Sequence, residues 1–161
     1  MSDVLCVYYS RSGNTKKAME EVAEALGAEL VQLHDTAARR NALQCGLDAM
    51  RRTVRPIRKI RTEKPLEDYR LVIIGTPIWA GRCAPVVRSF LKEHGPRLEQ
   101  VAYLVTRGTE NKYEEVYGQM DEYVPLDHRV AGSLRVGSVG YTFWQEEFLR
   151  QVQDFLNTAE V

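Results

Sequence analysis

Ser10-Arg11-Ser12-Gly13-Asn14-Thr15 places three hydroxyls, a guanidinium, an amide and a glycine in six consecutive positions, between an apolar run and a helical one. Such a set can hold an anion. The glycine lets the backbone turn tightly, the N–H groups of the following helix point outward at the positive end of its dipole, and the hydroxyls donate hydrogen bonds. Arg11 or Lys16 can add charge. The segment lacks the glycine–lysine pattern of nucleoside-triphosphate loops and the three-glycine pattern of dinucleotide-binding turns, so a phosphate monoester suits it better. An ordinary capped helix start uses the same residue types, and this segment alone leaves both readings open.

A second segment, Gly75-Thr76-Pro77-Ile78-Trp79-Ala80-Gly81, sets a large aromatic among residues that stiffen or loosen the backbone. Trp79 offers a flat face to a heteroaromatic ring, and small Ala80 and Gly81 let the backbone approach that ring's edge. A third, Thr106-Arg107-Gly108-Thr109, supplies backbone groups and a hydroxyl for a polar ring edge, with Arg107 expected to face solvent.

The elements that position these loops read as alternating strands and helices. Val4 to Tyr9 is a continuous apolar run, as in a strand buried on both faces of a parallel sheet. Met19, Val22, Ala23 and Leu26 then recur at helical spacing before Gly27, which predicts a helix over about 14–26. Further strands are expected at Glu29 to His34, Leu71 to Gly75, Val101 to Thr106 and Arg129 to Val136. Helices are expected from Pro85 to Gly95, over a face containing Tyr113, Val116, Tyr117 and Met120, and along the stripe Phe148, Leu149, Val152, Phe155 and Leu156, with a capping box at Thr142 and Gln145. This alternation predicts an α/β fold, a doubly wound parallel sheet of five strands with helices on both faces. Ligands then bind beyond the carboxyl ends of the strands, where all three loops lie.

With 161 residues, 44% of them apolar and 27% charged, the chain suits one self-sufficient folded domain rather than a disordered polymer. Its start has neither a basic leader nor an apolar run long enough for a membrane span, so a cytoplasmic location is expected. Cys6, Cys45 and Cys83 are an odd set without paired spacing and are expected to be idle thiols. His34, His94 and His128 lie apart, with no spacing that suggests a metal site. The net charge of zero hides an uneven spread. Nine Lys or Arg between Arg39 and Lys64 face only Asp48 and Glu63, so that stretch is net +7 and the remainder net −7. The region at about 36–68 reads as a basic insertion, with an added helix suggested by Ala42, Leu43, Leu47 and Met50. It holds no aromatic residue to stack on bases, which argues against nucleic-acid binding.

Tyr9-Ser10-Arg11-Ser12-Gly13-Asn14-Thr15, followed by a helix, resembles the phosphate loop of flavodoxins, and Gly75 to Gly81 resembles their flavin-stacking loop. The resemblance, to the short-chain type, implies a flavodoxin-like fold with strand order 2-1-3-4-5 and one bound FMN. Carried over position by position, it puts Ser10, Arg11, Ser12, Gly13, Asn14 and Thr15 on the phosphate. It likewise puts Thr76, Pro77, Ile78, Trp79, Ala80 and Gly81 beside the isoalloxazine, and Thr106, Arg107 and Gly108 at its pyrimidine edge. Unlike classical flavodoxins, the chain has no aromatic residue in Thr106 to Thr109 and is not strongly acidic. The expected function is an electron carrier between redox partners, protein or small molecule. The alternative is an NAD(P)H:quinone-type oxidoreductase with one flavin face open to substrate.

Overall fold

The computed structural model describes residues 2–35 and 57–158. The stretch from Arg39 to Met50, with the suggested added helix and Cys45, lies outside the described residues. Five parallel strands form the sheet: β1 (Val4–Tyr8), β2 (Glu29–Gln32), β3 (Leu71–Trp79), β5 (Val101–Thr106) and β6 (Val130–Leu134). They lie in the order β2-β1-β3-β5-β6, and the two-residue β4 (Arg82–Cys83) pairs antiparallel with β3. The expected order is thus present, with one short strand added.

Strand geometry sends alternate side chains to opposite faces, and the two cores follow that rule. Leu5, Val7, Val72 and Ile74 point to one face, where Phe90 and Leu91 of α2 (Pro85–His94) and Val116 and Met120 of α3 (Glu115–Asp121) cover them. Val4, Cys6, Tyr8 and Ile73 point to the other, under Met19 and Val22 of α1 (Asn14–Leu26) and Phe148 and Val152 of α4 (Tyr141–Thr158). All residues of β1 and β5 are buried, which is why both read as unbroken apolar runs. Burial pushes the Cys6 thiol up to about 12, leaving it protonated and unreactive at neutral pH. Cys83 is also buried.

The helices on the second face are joined by a polar link. The Tyr141 hydroxyl of α4 donates to Glu21 of α1 at 2.5 Å, and Lys17 reaches the same carboxylate at 2.9 Å. The tyrosine's hydrogen bond, more than the lysine, holds the Glu21 carboxyl below its usual range. Because α4 begins at Tyr141, Thr142 is inside the helix rather than capping it, and the Gln145 amide reaches back to the Tyr141 hydroxyl at 3.2 Å.

The end of the basic region forms a strap that runs back alongside β2. Ile57 bridges Asp35 in antiparallel sense, the Arg58 N–H donates to the His34 carbonyl at 2.9 Å, and the Glu63 N–H donates to the Glu29 carboxylate at 3.1 Å. Tyr69 also donates to Glu29, and Lys64 lies over the Tyr69 ring while pairing with Asp3. Among the described residues no helix is long and apolar enough to cross a membrane.

After α2 the chain turns through Gly95, where an added Cβ would lie 2.3 Å from the Tyr123 carbonyl oxygen. That oxygen belongs to the backbone and cannot rotate aside. Gly95→Ala is expected to destabilise the fold by about 1–3 kcal/mol, as overpacking does, seen as a lower urea midpoint at unchanged slope.

Candidate functional site

Winding proceeds outward from β1 in both directions, so the sheet's switch point lies between β1 and β3. The loops that leave their carboxyl ends diverge to opposite faces and open a crevice there. Ser10 to Gly13 leaves β1 at this point. Gly13 precedes α1 with φ +99, a left-handed conformation that an L side chain would strain. Its N–H donates to the Ser10 Oγ at 3.0 Å, so the Ser10 hydroxyl proton remains available to an incoming acceptor. No side chain caps α1, and its first turn holds no acid. Arg11, Ser12, Gly13 and Asn14 are exposed. The leading N–H groups of a 13-residue helix therefore face solvent with the dipole's positive end, which is what a phosphate dianion requires. Lys16 and Lys17 are already matched by Glu20 and Glu21 one turn on, which leaves Arg11 as the exposed loop cation without an ion pair among the described residues.

Thr15 differs from its neighbours. Its hydroxyl is buried and lies 2.7 Å from that of Thr106, also buried. Rather than standing open in the loop, the pair ties the first turn of α1 to the end of β5.

The second loop is not a loop. β3 runs on through Thr76, Pro77, Ile78 and Trp79, turns over Ala80 and Gly81, and returns as β4, pairing Ile78 with Cys83 and Trp79 with Arg82. This extends the expected strand by four residues. Ala80 and Gly81 both have positive φ, +51 and +72, as in two-residue hairpins whose twist matches that of the flanking strands. Alanine in this conformation carries a strain of about 1–2 kcal/mol. The buried Thr76 hydroxyl accepts from the Ala84 N–H at 3.0 Å and donates to the Pro77 carbonyl at 2.9 Å, closing the hairpin's base. Trp79 is half-buried and meets the Tyr9 ring at 90° and 5.7 Å between centroids. The hairpin thus holds an aromatic pair at the mouth of the crevice, next to the phosphate-type loop.

The third loop is better tied than its sequence suggests. Arg107 is half-buried, not turned out to solvent: its Nε donates to Ser133 Oγ at 2.9 Å and its Nη1 to the Thr109 carbonyl at 2.5 Å. Ser133 in turn donates to the Lys112 carbonyl. Gly108 and Thr109 remain exposed. Tyr113 stands before α3 rather than on it, with φ +55 and its N–H held by Asn111 at 2.9 Å. Tyr9 and Tyr113 are the residues at this edge that the sequence reading did not select. Tyr9 looked like the last residue of a strand and Tyr113 like the first of a helix face. The structure brings Thr15 and Thr106 together and joins Trp79 to Tyr9, whereas Arg11 and Ser12 stand in solvent.

A flavodoxin family model matches residues 3–139 of the chain. No curated protein gives a significant match. Among solved structures, a flavoprotein from Lactobacillus acidophilus NCFM, in complex with FMN, is 22% identical with a TM-score of 0.67, covering 89% of this chain and 99% of that one. A flavodoxin-type, WrbA-like protein from Agrobacterium tumefaciens is 14% identical with a TM-score of 0.55, covering 96% and 99%. A flavodoxin from the domain Archaea is 13% identical with a TM-score of 0.53, covering 94% and 96%. At these identities the likeness to solved structures is one of fold.

The Thr15–Thr106 contact makes a direct prediction. Thr15→Val leaves the Thr106 hydroxyl buried without its partner and is expected to cost about 1–3 kcal/mol, while adding Thr106→Val should recover part of that loss. A double-mutant cycle by urea unfolding measures the difference, and strict additivity would show the contact to be idle.

Proposed function

The chain belongs to the flavodoxin family, and from that premise we propose that it binds one FMN in the crevice between β1 and β3 and serves as a cytoplasmic electron carrier. The observation that carries this reading is the uncapped, acid-free start of α1 beside the Tyr9–Trp79 pair, because it sets a phosphate cradle next to an aromatic wall. The FMN complex of the L. acidophilus flavoprotein, which shares the fold, supports it.

The residues present fit the group. The leading N–H groups of α1, with the Ser10 and Ser12 hydroxyls and the Asn14 amide, would hold the phosphate, and Arg11 would add a cation. Thr15 contributes its backbone N–H, since its side chain is held by Thr106. Trp79 would bury one face of the ring, with Pro77 and Ile78 behind it in the strand and Ala80 and Gly81 at the turn. Thr106, Arg107 and Gly108 would border its polar edge. FMN supplies the redox chemistry when bound, and the protein tunes it through stacking, hydrogen bonds and nearby charge. No acid or base from the chain is required for electron passage. Charge recognition belongs to redox partners, protein or small molecule.

The lack of an aromatic side chain in Thr106 to Thr109 favours a second reading, an NAD(P)H:quinone-type oxidoreductase that admits substrate over the uncovered ring face. Two experiments decide. Trp79→Ala should weaken FMN binding roughly 5- to 150-fold, the range for loss of an aromatic–heterocycle stack, and unchanged affinity would remove Trp79 from the site. NADPH added anaerobically to the FMN-loaded protein should leave the flavin spectrum unbleached if the chain is a carrier. Rapid direct bleaching would instead establish the oxidoreductase.

A further inference from the structure

On the face covered by α2, at the end of that helix farthest from the hairpin, the strap and the last helical turn enclose a cavity of about 440 Å³. That size falls within the range of small-molecule sites. Ile57, Ile60 and Leu66 give it an apolar lining that continues into the core beneath α2. Arg58, Lys59 and Arg97 stand around it, and Glu93 is the one carboxylate among the described residues of its lining. Among the described residues none of these three cations forms an ion pair with a carboxylate. Arg97 instead contacts His94 Nδ1 at 2.5 Å, an arrangement that requires a neutral ring accepting from the guanidinium. Burial holds His94 below its usual value against the pull of Glu93, and Arg97 pushes in the same direction as burial. The Arg97 charge is therefore positioned by the imidazole without being cancelled.

An apolar floor ringed by unmatched cations has an incomplete chemistry: its hydrocarbon lining calls for an apolar body and its rim for a negative head. We propose that this cavity binds a small amphiphilic anion, with an acyl or aryl body against Ile57, Ile60 and Leu66 and a carboxylate, sulfonate or phosphate head between Arg58, Lys59 and Arg97. A guanidinium can grip such a head with two parallel hydrogen bonds, which an uncharged head could not reciprocate. The site shares no residue with the proposed FMN crevice, so occupancy of one does not test the other.

Isothermal titration of the purified, FMN-treated protein with monomeric decanoate, and separately with 1-anilinonaphthalene-8-sulfonate, tests the proposal. One molecule of each probe should bind per chain, more weakly at high salt because the head group is held by exposed charge. Arg58→Ala and Arg97→Ala should each weaken binding roughly tenfold, the scale of one charge-assisted contact. Ile60→Asp should abolish it while leaving the circular dichroism spectrum and FMN uptake unchanged. Absence of binding by both probes would overturn the proposal, as would affinities unaffected by both arginine substitutions or equal affinity for neutral decanol. Sedimentation with anionic phosphatidylglycerol vesicles, without binding of the monomeric probes, would assign the cations to a membrane surface and equally overturn it.

Discussion

The parallel pairing of β1 with β3, from Val4 opposite Leu71 to Tyr8 opposite Gly75, is the constraint on which the remaining architecture depends. It sets the point from which the chain winds outward, so the loops after both strands part to opposite faces and leave room between them. Gly75 ends that register for a packing reason: an added Cβ there would lie 2.5 Å from the Met19 side chain of α1. The missing side chain lets α1 settle on the sheet, and the helix's uncapped start comes to rest beside the continuation of β3. Thr15 and Thr106 then fasten the same helix to β5. Three neighbouring strands thereby hold one helix terminus, whose leading N–H groups carry no side-chain cap.

The sheet was legible because its strands are buried on both faces and cannot hide their apolar runs. Val4 to Tyr8 and Val101 to Thr106 coincide with expected strands, and Gly27 ends α1 where its left-handed propensity places it. Thr76 to Trp79 was obscured by Pro77 and by Gly75 and Gly81 on either side, residues that punctuate chains more often than they extend strands. What kept this stretch in the sheet was tertiary: Pro77 sits opposite Thr106, while Ile78 and Trp79 pair with β4. Its neighbour β4 is two residues long, too short to leave a period in the sequence.

The candidate site was legible in its materials and less so in its geometry. Arg11 to Gly13 form the exposed turn that their types suggest and Asn14 opens the helix, but nothing in the sequence says that Thr15 turns inward to Thr106. Arg107 likewise has a partner in Ser133, 26 positions away, a relation that depends on β6 lying beside β5. Tyr113 escaped because its spacing from Val116, Tyr117 and Met120 is helical, while its backbone is left-handed and held by Asn111. Local pattern records the residue's side-chain period and is blind to such a hydrogen bond.

The strap beside β2 has a consequence for how copies of the chain meet. A strand at the rim of a sheet offers unpaired backbone groups to any other strand, and proteins blunt such rims with cover and with charge. Here Ile57 to Glu63 occupies the flank of β2, bringing Arg58, Lys59 and Arg61 with it. At the opposite rim, β6 has no strand on its outer side among the described residues, though it is only five residues long and has glycine at its centre. Strand addition between molecules, the first step of ordered aggregation, thereby meets cover and charge at one rim and a short, poorly templating strand at the other.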